Sequence, residues 1–92
     1  GKEVDAKARL LKKPEPSYTE QARSAGIMGT VVLKVVFSST GQVTNIRIVQ
    51  ELPYGLTERA IVAAKKIKFI PAMKDGRYVS MWMQLEYNFN LY

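Results

Sequence analysis

The sequence contains no cysteine and no histidine. Without cysteine there is no disulfide and no thiol nucleophile; without histidine there is no imidazole base and no histidine-containing metal site. Acidic residues are the scarcer charge, 8 against 14 Lys and Arg, for a net +6. No spacing among them brings carboxylates together on one element for acid–base work. The serines lack a histidine to activate them, and Ser38 and Ser39 sit in a polar connection where hydroxyls serve the backbone. The glycines nowhere form GxGxxG or a GxxxxGK loop, which removes the phosphate cradles. No apolar run approaches the about 18 residues of a helical membrane span, and no secretory leader pattern is present. These absences leave a binding module: no catalytic residue, no metal and no cofactor is expected.

The composition that remains, 47% hydrophobic and 24% charged over 92 residues, is that of one globular domain with a small core. Its organising stretch is GTVVLKVVFSSTGQVTNIRIV, 29–49. Val31, Leu33, Val35 and Phe37 recur at period 2, Gly41 can take the positive φ of a bulged turn, and Val43 to Val49 return, so a β-hairpin is predicted. Val43 is out of step with Ile46 and Ile48, which predicts a bulge or a twist near Thr44 and Asn45. Residues 1–13 read as a linker or an extended strap. Pro14 and Pro16 then enforce extended backbone, Ser17 and Glu20 form a capping box, and Gly26 suits the position after a short helix, with Ile27 folding back on it. Leu56, Ala60, Ala63, Ala64 and Ile67 predict a second helix, ended near Phe69 by Pro71.

Asp75 and Gly76 predict a turn, after which Val79, Met81, Met83, Leu85, Tyr87 and Phe89 alternate with polar residues in a long strand, Tyr78 to Asn90, free of proline. The predicted fold class is α+β, with two helices packed on one face of a three-stranded, mainly antiparallel sheet. Val32, Val36 and Trp82 then point to the other face, which is covered by a strap or a second copy, is scattered apolar surface, or is a ligand face. The run Lys65, Lys66 and Lys68 reads as a solvated helix end or as a cationic patch for nucleic acid or lipid. With no aromatic stripe beyond Trp82 on the open face, no specific nucleic acid is expected.

The stretches 16–50 and 56–89 together resemble the C-terminal domain family of TonB, the energy transducer of Gram-negative envelopes. The matching residues are Tyr18, Ala22, Arg23, Gly29, Val31, Val35, Gly41 and Val43, then Leu56, Ala60, Ala64, Phe69, Pro71, Ala72, Gly76, Val79 and Phe89. Thr19 stands where a proline is usual and Ile67 where a tryptophan is common. The resemblance implies a TonB C-terminal-like domain over 14–92. It also implies a periplasmic location and an inner-membrane anchor with motor-protein contacts, both through an N-terminal region outside this sequence. The partner it implies is a peptide of an outer-membrane TonB-dependent transporter, the TonB box, added as a strand along the last core strand so that proton-motive force is passed on for uptake. Carried onto this sequence, the peptide-binding edge is Trp82, Gln84, Leu85, Glu86, Tyr87, Asn88, Phe89 and Asn90, with additional contacts from Glu15 and Tyr18. The alternative is a self-associating scaffold domain of an envelope protein, a homodimer built on the same edge or on the Trp82 face.

Overall fold

The computed structural model describes residues 5–92; the first four residues of the expected strap, 1–4, lie outside the described residues. The chain order is β1 (Arg9–Lys12), α1 (Glu20–Ser24), β2 (Gly29–Phe37), β3 (Val43–Gln50), α2 (Leu56–Lys65), β4 (Lys68–Ile70), β5 (Ala72–Lys74), β6 (Arg77–Val79) and β7 (Met81–Phe89). The main sheet has the order β3-β2-β7 and is antiparallel throughout, with β2 in the centre. This is the predicted α+β class. Val31, Leu33, Val35 and Phe37 of β2 and Leu85, Tyr87 and Phe89 of β7 face Ala22 of α1 and Leu56, Ala60, Ala63 and Ala64 of α2 in one buried cluster. Alanine at the helix positions lets α2 lie close to the sheet, and Phe69 extends the core by stacking on Phe37 with centroids 4.2 Å apart.

The hairpin forms as its pattern predicts, and Gly41 sits in its turn at φ 91°. The expected bulge is present: Asn45 has φ 51° and the β2–β3 register shifts between Lys34 and Val36. A second shift between Val32 and Leu33 was not legible in the sequence.

Four local expectations are corrected. The cap of α1 is Thr19, not Ser17: its hydroxyl accepts from the Ala22 N–H at 3.1 Å and donates to the Tyr54 carbonyl at 2.6 Å. Thr19 thus starts the helix and ties it to the loop before α2, while the Ser17 hydroxyl accepts from Arg59. Helix α2 ends at Lys65, short of Phe69, because residues 68–70 become a strand that pairs with β1. The long strand predicted from Tyr78 is broken at Ser80: residues 77–79 close a tight hairpin with 72–74 through Asp75 and Gly76, both at positive φ. Ser80 instead turns its hydroxyl to accept from the Ser39 N–H at 2.9 Å. Finally, β1 does not lie over the open face; it pairs antiparallel with β4, and Ala6 bridges Met73 beyond it. The C-terminus of α1 follows expectation, with Gly26 at φ 68° and the Ile27 N–H bonded to the Ala22 carbonyl.

Trp82 stays 44% exposed on the face away from the helices. Its ring is flanked there by the Lys34 ammonium at 5.9 Å and the Arg47 guanidinium at 5.1 Å from the centroid. Phe37→Ala is therefore expected to cost about 3–5 kcal/mol in urea unfolding, and Trp82→Ala no more than about 1.5 kcal/mol. Equal losses would place Trp82 in the core.

Candidate functional site: an open sheet edge

The main sheet has two edges, and they are not equivalent. The β3 edge carries both register shifts and the left-handed Asn45, so its main-chain groups are not evenly spaced for another strand. The β7 edge is regular: Gly29 to Phe37 pair with Phe89 to Met81 residue for residue, without interruption.

The phase of that edge follows from two contacts. In an antiparallel pair, successive residues turn their N–H and C=O groups alternately toward and away from the neighbour. The Thr30 carbonyl accepts from the Gln50 side chain at 2.7 Å, so the even residues of β2 point toward β3. Thr30 pairs with Asn88 and Val32 with Glu86. The main-chain groups of Trp82, Gln84, Glu86 and Asn88 must then point away from β2. The Lys13 ammonium, which donates to the Glu86 carbonyl at 3.2 Å, meets one of these outward groups.

The sequence-predicted residues divide accordingly. Trp82, Gln84, Glu86 and Asn88 have exposed side chains on the open face and outward main-chain groups. The Gln84 amide reaches the Glu86 carboxylate at 3.4 Å, and Asn88 accepts from the Thr30 hydroxyl at 2.7 Å. Leu85, Tyr87 and Phe89 are buried toward the helices and spend their main-chain groups on β2. Asn90 lies just past the strand. The Tyr18 hydroxyl donates to the Ile27 carbonyl at 2.7 Å and its ring meets Phe89 edge-on at 5.4 Å, which makes it a buttress for the end of β7. Glu15 is exposed near Tyr87. Lys13 was not among the predicted residues: a lysine in a segment of mixed charge carries no signal of the strand it will meet.

Tyr87 is the unusual member. It is 1% exposed, and its hydroxyl has no hydrogen-bond partner among the described residues. Burial, with the Glu15 carboxylate acting in the same direction, pushes its pKa from 10.0 to about 12. The described residues hold no group of three or more His, Cys, Asp or Glu placed to bind a metal.

The geometry is that of a small α+β domain whose three-stranded antiparallel sheet has one irregular and one regular edge. The chain belongs to the Gram-negative bacterial TonB protein C-terminal family, whose model matches residues 14–91. It is 29% identical over 87 residues to protein tonB2 of Pseudomonas aeruginosa, covering 94% of this chain and 32% of that protein. It is also 29% identical over 80 residues to protein TonB of Klebsiella aerogenes, covering 87% of this chain and 33% of that protein. The chain thus spans about a third of the length of these relatives. The solution NMR structure of the Pseudomonas aeruginosa TonB C-terminal domain shares the fold with a TM-score of 0.74 at 24% identity, covering 95% of this chain and 89% of that one. Ile67 is 4% exposed and fills the core.

Tyr87→Phe removes a buried hydroxyl that forms no bond, so stability near neutral pH should be unchanged or rise by up to about 1 kcal/mol. The fold favours the neutral phenol. Its contribution is therefore intact below the unfolded value of 10.0 and is lost as pH climbs through about 12. Chemical denaturation across that window should show the parent losing stability relative to the Phe variant; parallel curves would contradict the burial argument.

Proposed function

We propose that this chain is the periplasmic partner-binding domain of an energy transducer and that it grips an N-terminal peptide of an outer-membrane transporter by adding it as a strand to β7. The domain proper runs over 14–92, with the segment before it as a strap. The observation that carries the reading is the uninterrupted nine-residue edge, whose outward main-chain groups recur at Trp82, Gln84, Glu86 and Asn88. Strand addition suits a force transmitter, since several main-chain hydrogen bonds are loaded together. An N-terminal region outside this sequence would anchor the protein in the inner membrane and meet the motor proteins there. The blunted β3 edge supports a single docking side. A second copy pairing β7 with β7 is the alternative the same edge allows, and sedimentation of the chain alone separates the two, because only self-pairing requires a dimer without peptide.

Proline tests the phase. Gln84→Pro removes an outward N–H that only a partner uses, so the chain should fold while transporter-peptide affinity drops by about tenfold or more. Leu85→Pro removes a bond to β2 and should destabilise the fold by about 3 kcal/mol. Amide shifts and hydrogen exchange on titrating the peptide give the readout: protection at the Gln84, Glu86 and Asn88 amides supports the reading. Shifts confined to Lys65, Lys66 and Lys68 would mean that charge, not strand addition, holds the peptide.

A further inference from the structure

Lys13 stands at the edge in a specific way. Pro14 holds its backbone extended, and its ammonium lies 4.8 Å from the centre of the Tyr87 ring while donating to the Glu86 carbonyl. That carbonyl is one of the outward acceptors an added strand would use, so an arriving strand competes with Lys13 for it. The approach is from the helix-facing side of the sheet, because the Tyr87 ring under the ammonium packs in the core. In an added strand, the residue beside Tyr87 sends its side chain to that same side.

We infer that Lys13 is a selectivity residue of this edge: it occupies the Glu86 carbonyl until displaced, and it favours a partner strand bearing a carboxylate on the helix-facing side beside Tyr87. This rests on the strand-addition reading. A neutral side chain there would leave the displaced ammonium without an anion; Asp or Glu gives it one within reach, next to an aromatic face and partly shielded from water. The charges around the spot agree. The Glu86 carboxylate is on the opposite face, turned toward Gln84. Glu15, the other nearby anion, acts on Tyr87 but lines a hollow that Arg59 and Lys66 also line, so cations stand on its other side.

The test uses the whole chain and eight-residue peptides of alternating Thr and Val, with Glu or Gln placed at each position in turn, titrated by NMR. The parent should bind the Glu peptide about three- to tenfold tighter than its Gln counterpart at one position, at low salt. Lys13→Gln should abolish that preference, weakening the Glu peptide and tightening the Gln peptide, whereas Lys13→Arg should keep it; thermal melts confirm that both variants fold. Equal affinities for the parent, or a preference that survives Lys13→Gln, overturn the role of Lys13 while leaving strand addition standing. If no peptide shifts or protects the β7 amides, strand addition itself fails, and the selectivity proposal falls with it.

Discussion

Everything in this fold depends on β2 having a paired neighbour on both sides. It is the only strand of the main sheet with no edge, and its inward residues Val31, Leu33, Val35 and Phe37 are excluded from water. A hairpin of β2 and β3 alone would be marginal. Pairing β2 with the distant β7 both completes a three-stranded sheet and doubles the apolar face that α1 and α2 cover. That closure joins residue 29 to residue 89, so the C-terminal strand is fixed by a partner nearly the whole chain away. It also leaves β7 with one satisfied side and one open side, and the open side is where recognition can happen at no cost to the core.

The parts of this arrangement written in local pattern were legible. Period-2 alternation in β2 and β7, the Gly41 turn, the Gly26 helix end and the helical spacing of Leu56, Ala60 and Ala64 each follow from one element's own geometry. The misplacements came where a distant partner decides. Phe69 reads as the end of a helix until β1 is available to pair with β4, and Ser80 reads as one more alternating residue until Ser39 presents an N–H to it. Ser17 and Thr19 both offer a capping hydroxyl; the Tyr54 carbonyl and the Arg59 guanidinium settle which is used.

The candidate site was legible at a coarser level. A long strand without proline is visible in the residues, and its likeness to a family says which strand to examine. The phase of its hydrogen bonds is not visible, since side-chain alternation says which face a residue occupies and nothing about which way its N–H points. Two side chains from elsewhere, Gln50 on the Thr30 carbonyl and Lys13 on the Glu86 carbonyl, provide that information only once the chain is folded.

The two sheet edges are restrained by different devices. On β3, Ile48 and Val49 are 51% and 59% exposed, an apolar pair that would invite pairing on a flat strand. The register shifts and the turn at Asn45 twist the main-chain groups out of the spacing a partner needs. On β7 the main chain is left regular, but the side chains outside are Gln84, Glu86 and Asn88, and a lysine from the strap sits on the central carbonyl. Polar side chains and one removable cation restrain a regular edge without destroying it, whereas a bulge is permanent. An edge meant to bind and release a strand is better served by the first device, so the distribution of the two devices in this fold is the one that the proposed strand addition to β7 requires.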